Sequence, residues 1–284
     1  MSLLLLGGTG DARHLTTELF NNNVPVIYSV AGLVRTPHVP CEIVRGGFSQ
    51  FATLESRVLD SHILESHVLA NNVLENNALE NNGLVNYIQD KNITAILDVT
   101  HPYAQKMSST AVKSASHCNI PCWRFHRPEW EKQQGDNWTE YDSLEQLLPH
   151  LRDKKNVFLS IGQIKQEFVK PLETLLEGKT QRQIVRTAVK PKIELAATMH
   201  WIRAIGPFKY EDELALLKQF DIDVVVTKNS GGVATIAKLE AARKLNVPVL
   251  MLARPELPTA DKIVSDPMAC KELVLEFYKN KRIN

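Results

Sequence analysis

The stretch Leu3-Leu4-Leu5-Leu6-Gly7-Gly8-Thr9-Gly10-Asp11-Ala12-Arg13 constrains this chain more than any other. An unbroken apolar run reads as a buried strand, the glycines as a tight turn, and the pattern Ala12, Leu15, Leu19 as one face of a helix. A strand, a glycine turn and a helix N-terminus in that order place an anion site beyond the strand in an α/β protein. Backbone N–H groups and the positive end of the helix dipole meet there, and a Cβ would block close approach. Gly7, Gly8 and Thr9 are therefore candidate phosphate contacts. The spacing departs from G-x-G-x-x-G, because Arg13 occupies the last position. A plain strand-to-helix turn is the competing reading.

The same alternation recurs along the chain. Pro25–Val30, Cys41–Phe48, Ile93–Val99 and Pro121–Pro128 read as strands, with a helix over 104–117. The order implies a parallel, doubly wound sheet. Residues 129–142 are polar and read as a linker. Strands at 156–161, 183–189, 200–205, 222–226 and 248–252 follow, with helices over 210–220, from 233 and over 267–279. At 284 residues there is room for two domains. The expected fold is α/β, two Rossmann-like doubly wound parallel-sheet domains, 1–135 and 136–284, with the active site in the cleft between them.

One segment resists this scheme. Leucines at 54, 59, 64, 69, 74, 79 and 84 mark a five-residue repeat. Five residues advance about 140° past a full helical turn, so these leucines make no single stripe. The reading adopted is a repeat expansion near 54–83, inside a surface helix joining two strands. His62 and His67 read as solvated members of it.

Composition narrows the function classes. A net charge of +1 gives no global electrostatic case for nucleic acid. No apolar run reaches the roughly 20 residues of a membrane span. Cysteines 41, 118, 122 and 270 form no disulfide framework and suit a reducing cytoplasm. No His/Cys/Asp cluster has metal-ligand spacing, so no metal is expected, and no nucleophile–base pair stands out. Chemistry brought by a bound cofactor fits better.

Functional groups in open α/β sheets gather beyond the carboxyl ends of strands. An acid closing the second strand would select NAD. Ser29 stands there with Arg35 close behind, which favours NADP. His101 reads either as a proton or hydrogen-bond donor to substrate or as a structural residue of the Pro102 turn. Lys228, beside Ser230-Gly231-Gly232, reads as a cation for a phosphate or carboxylate, against a solvated loop lysine. Arg127, Arg186 and Arg254, all at strand ends, suggest as a set a polyanionic ligand.

Read together, these strand ends resemble the precorrin-6A reductase family of cobalamin biosynthesis. The motifs are Gly7–Arg13, Gly46-Gly47-Phe48, Asp98-Val99-Thr100-His101-Pro102-Tyr103-Ala104, Gly206-Pro207-Phe208, Lys228-Asn229-Ser230-Gly231-Gly232 and Ala253-Arg254-Pro255. The family usually has Thr or Ser where Gly10 stands and Glu where Asp11 stands. The resemblance implies an NADPH-dependent reductase acting on a carboxylate-rich tetrapyrrole, reducing one macrocycle C=C of precorrin-6A or its cobalt form to precorrin-6B. It implies that Gly8, Thr9, Ala12 and Arg13 hold the pyrophosphate, and that Ser29 with Arg13 or Arg35 faces the 2′-phosphate. His101, Tyr103, Lys228, Ser230 and Arg254 would face the nicotinamide and macrocycle, with His101 and Lys228 as the catalytic candidates. No nucleic acid or membrane partner is expected, and a monomer is. The competing classes are another Rossmann NADP-dependent reductase or methyltransferase of tetrapyrrole metabolism, and a non-catalytic NADP-binding protein.

Overall fold

The computed structural model describes residues 1–31, 37–52, 82–164, 166–175 and 181–283. Arg35 and nearly all of the 54–83 repeat, His62 and His67 included, lie outside the described residues.

The chain divides into two units, Met1–Arg127 with Glu256–Asn284, and Pro128–Pro255. The first contains β1 (Ser2–Leu6), α1 (Gly10–Asn21), β2 (Val26–Val30), β3 (Glu42–Arg45), α2 (Gly83–Asp90), β4 (Ile93–Asp98), α3 (Gln105–His117) and β5 (Cys122–Phe125). The second contains β6 (Trp138–Tyr141), α4 (Leu144–Leu147), β7 (Asn156–Ser160), α5 (Gln166–Leu175), β8 (Arg182–Thr187), β9 (Met199–Arg203), α6 (Tyr210–Gln219), β10 (Val224–Lys228), α7 (Ala237–Lys244) and β11 (Val249–Leu252). The chain then returns to the first unit with β12 (Lys262–Val264) and α8 (Pro267–Ile283).

Each unit is built on a six-stranded sheet whose pairings are all parallel. The orders are β3-β2-β1-β4-β5-β12 and β9-β8-β7-β10-β11-β6. Both follow the doubly wound plan in which strand order reverses beside the first strand, at β1/β4 and at β7/β10. They differ in the source of the sixth strand. The second unit takes it from the segment preceding its first strand, and the first unit from the chain's return.

The leucine run shows why β1 is central. Leu3 and Leu5 enter one core layer with Ala12, Leu15 and Leu19 of α1 and Val274 of α8. Leu4 and Leu6 enter the opposite layer with Leu84 and Ile88 of α2 and Ala111 and Ala115 of α3. Alternate side chains leave opposite faces of a strand, so a strand covered by helices on both sides must be apolar throughout. In the second unit Phe158, Ile184, Val225 and Met251 pack against Leu217 of α6 and Leu239 of α7.

Three expectations change. The division falls at Arg127/Pro128 rather than 135/136, and the last 29 residues belong to the first unit. The return is pinned by Asp261, whose Oδ2 accepts the Cys122 N–H (2.7 Å) and whose own N–H reaches the Cys122 carbonyl (2.9 Å). The supposed linker 129–142 contains β6 and buries Trp130 and Trp138. Val233 does not start a helix face. It lies in a 3₁₀ turn, 87 % exposed, and α7 begins at Ala237. Among the described residues no helix is long and apolar enough to cross a membrane.

Candidate functional site

In the first unit the glycine turn leaves β1 at the strand-order reversal. Thr9 caps α1: its Oγ1 accepts the Ala12 N–H (3.1 Å) and donates to the Val99 carbonyl (3.0 Å). One hydroxyl thus ties the helix start to the end of β4, and its proton is already committed. Gly7 is required by a neighbour. A Cβ there would lie 2.3 Å from Cζ of Tyr28, far inside contact distance. Tyr28 is fully buried, and its Oη accepts the Gly8 N–H at 2.8 Å. Burial pushes that hydroxyl above the usual tyrosine range, opposed by the Gly8 N–H and the Arg13 cation. Arg13 therefore stands near the same turn. Gly8 has φ +111°, and a Cβ on it would enter open space. Asp11 in the first turn of α1 is held by Arg127 (2.7 Å), which offsets a carboxylate beside the anion position.

Ser29, the fourth residue of β2, is 6 % exposed and by strand alternation shares the sheet face of Ile27, opposite Tyr28 and α1. At the glycine turn the side-chain contact comes from Tyr28, whereas Ser29 contributes its backbone carbonyl, which accepts the Gly7 N–H at 2.8 Å. Sequence reading missed this role, because a tyrosine inside an apolar strand looks like core.

The neighbouring strand end carries a buried ion pair. Oδ1 of Asp98 accepts the Thr100 N–H (3.1 Å) and hydroxyl (2.7 Å), and Oδ2 accepts Ser108 Oγ–H (2.6 Å) and Arg124 Nε–H (3.1 Å). Both charged side chains are almost inaccessible. The network fixes the start of the Thr100–Ala104 turn, which presents His101 at the surface. His101 Nδ1 accepts the Tyr103 N–H (3.3 Å), and the two rings lie 5.6 Å apart. That bond assigns the proton of the neutral imidazole to Nε2.

In the second unit Lys228 ends β10 and lines a cavity of about 170 Å³ with Gln163, Leu148, Ile161, Phe168 and Leu252. The cavity sits at the carboxyl ends of strands around that sheet's own order reversal, where open α/β sheets hold ligands. The next loop is clamped from beneath. Oδ1 of buried Asn229 accepts the Trp130 N–H (2.9 Å), and Trp130 Nε1–H donates to the Gly232 carbonyl (3.0 Å). Ser230 and Thr235 join hydroxyls at 3.3 Å. At Gly231, with φ +64°, a Cβ would meet the Pro128 carbonyl oxygen at 2.2 Å.

Two of the expected ligand arginines have other work. Arg254 donates to the carbonyls of Asn229 (2.8 Å) and Pro128 (3.0 Å), with a side chain only 5 % exposed. It braces the loop. Arg186 lies inside the unit, bonded to Glu213 and to Ser160 Oγ (3.1 Å) and stacked between Phe158 and Phe208. A guanidinium this enclosed serves the core rather than a rim. Position at a strand end was the sequence signal for both, and it does not report burial. Among the described residues no group of His, Cys, Asp or Glu has the arrangement of a metal site.

A family model described as "Precorrin-6x reductase CbiJ/CobK" matches residues 2–65 and 64–274, the two stretches meeting inside the five-residue repeat. A precorrin-6A reductase of Rhodococcus erythropolis is 34% identical over 93% of both chains. A cobalt-precorrin-6A reductase of Priestia megaterium is 28% identical over 90% of this chain and 91% of its own. Among solved structures, "CobK precorrin-6A reductase" superposes with a TM-score of 0.77 at 27% identity, over 97% of each chain.

Proposed function

We infer that this chain, which belongs to the precorrin-6x reductase family CbiJ/CobK, is an oxidoreductase that reduces one C=C bond of precorrin-6A or its cobalt form, giving precorrin-6B. The observation that carries the reading is similarity along nearly the full chain to reductases of both substrate forms.

Such a reduction calls for a nicotinamide cofactor, and we assign NADPH. The first unit fits one: Gly8 opens onto empty space where a Cβ would project, α1 points its N-terminus there, and Arg13 adds a cation. No carboxylate closes β2 to repel a 2′-phosphate. Gly7, Gly8, Thr9 and Ala12 would bring backbone to the pyrophosphate, and Arg13 would take the charge of the 2′-phosphate. When bound, the nicotinamide supplies the hydride that adds to one carbon of the double bond. The matching proton goes to the other carbon; we assign it to the imidazolium form of His101, held at the surface by the turn that Asp98 anchors, which after giving up its proton is the neutral ring whose Nδ1 accepts the Tyr103 N–H. Tyr103 beside it, and Lys228 with Ser230, face the macrocycle and its carboxylates. We place the enzyme in the cytoplasm, which four free thiols suit, and expect a monomer.

The test is anaerobic incubation with precorrin-6A and NADPH, following NADPH absorbance and the pigment spectrum together. Substrate-dependent oxidation is expected, and its absence with both the metal-free and cobalt forms would refute the reading. In the same assay Arg13→Ala removes a charge-assisted bond of about 1.5–3 kcal/mol, roughly ten- to hundredfold in NADPH affinity, with much less effect on NADH. Equal losses for both cofactors would remove Arg13 from the 2′-phosphate.

A further inference from the structure

The second unit holds a buried charge that no role above uses. Lys238, the second residue of α7, is 2 % exposed. Its ammonium donates to the Thr235 carbonyl at 2.7 Å and rests 4.7 Å from the centroid of the Trp130 ring. The charged groups facing it are Arg186 from β8 and Glu213 from α6, and Arg186 already engages one oxygen of Glu213. An enclosed ammonium without a directly bonded carboxylate is unfavourable beside an aliphatic side chain of similar length. What an aliphatic chain lacks is the grip on the loop. Lys238 holds it at Thr235 and Trp130 at Gly232, while Trp130 lies under the Lys238 ammonium. Thr235 in turn meets the hydroxyl of Ser230.

We propose that Lys238 is a positioning residue, which with Trp130 clamps the 229–235 loop and so presents Lys228 and Ser230 to the tetrapyrrole. The proposal rests on the reading of those two residues as substrate-facing. The charged form locks the clamp, because the ammonium both attracts the indole face and strengthens the bond to the carbonyl. Burial pulls the Lys238 amine down to about 7, with the Arg186 cation acting in the same direction and Glu213 opposing. The clamp therefore loosens as pH rises through neutrality.

The test compares the full-length protein with Lys238→Arg and Lys238→Met. In the wild type, KM for the tetrapyrrole should rise at least fivefold from slightly acidic to alkaline pH, with a smaller change in kcat. Lys238→Arg, whose cation does not titrate, should keep the low KM throughout. Lys238→Met should show the high KM at every pH, with NADPH affinity unchanged in both variants. Titrating groups common to all three proteins cancel in this comparison. A second readout needs no turnover: Trp130 fluorescence, isolated as the difference from Trp130→Phe, should titrate near neutrality in the wild type and be flat in Lys238→Arg. A wild-type KM profile in Lys238→Met, or a flat wild-type Trp130 signal, would overturn the proposal. If the wild type bound no tetrapyrrole, the functional reading would fail instead, and the Trp130 titration would still decide for or against the clamp.

Discussion

Replacing Gly7 by alanine tests the construction of the glycine turn. The new methyl would lie 2.3–2.5 Å from Cζ, Oη and Cε2 of Tyr28, where carbon atoms in contact prefer about 3.5–4 Å. The ring cannot retreat easily, being fully buried in the layer that holds Leu3, Leu5 and Leu15. Forcing a methyl into a filled core costs about 1–3 kcal/mol. Displacing Tyr28 also breaks its bond to the Gly8 N–H, about 1 kcal/mol more. The expected loss for Gly7→Ala is thus about 2–4 kcal/mol. Tyr28→Ala alone should cost about 3–5 kcal/mol by emptying the site. Once the ring is gone the Gly7 methyl has room, so the double variant should be scarcely worse than Tyr28→Ala, a coupling of about 2–4 kcal/mol, nearly the whole Gly7→Ala loss. Hydrogen exchange on peptides from β1, β2 and β4 reads the first unit separately from the second. Losses that add within about 0.5 kcal/mol would show that the glycine is there for another reason.

Two further outcomes follow from buried groups. Asp98→Ala leaves the Arg124 cation enclosed without its partner and should lower stability by about 3–5 kcal/mol, whereas Asp98→Asn keeps acceptors for Thr100 and should lose less. Thermal unfolding distinguishes them, and an unchanged midpoint for Asp98→Ala would contradict the burial argument. Burial pushes the Cys122 and Cys270 thiols up to about 12, so in the native protein at about pH 8 only Cys41 and Cys118 should react with a disulfide reagent. Four thiols reacting at one rate would mean that these two layers open readily.

Much of the fold was legible because it is written in local pattern. Strands buried on both faces must be apolar throughout, so β1, β4, β7 and β10 announce themselves as runs. The edge strands do not. β12 is three residues long and mostly exposed, and β6 lies in a polar stretch. Each exists because a neighbouring strand presents an unpaired edge, and that edge is nowhere near it in sequence. The last segment, Glu256–Asn284, joins the first unit for the same reason: a return strand belongs with its hydrogen-bond partners and not with its neighbours in the chain.

The candidate site divides along a similar line. The amino-acid order alone determined where the candidate turns fall, since glycines, hydroxyls and prolines at strand ends carry local conformational demands. It also determined the absence of an acid at the end of β2 and the family resemblance. Only the tertiary structure decided which groups at those ends are available. It turned Ser29 away from the α1 face and brought Tyr28 to Gly8. It enclosed Arg186 with Glu213, spent Arg254 on backbone carbonyls, and buried Lys238. A side chain's residue type is local, but its exposure and its partners are set by segments that meet only when the sheets close, and the free energy of a charge depends on those.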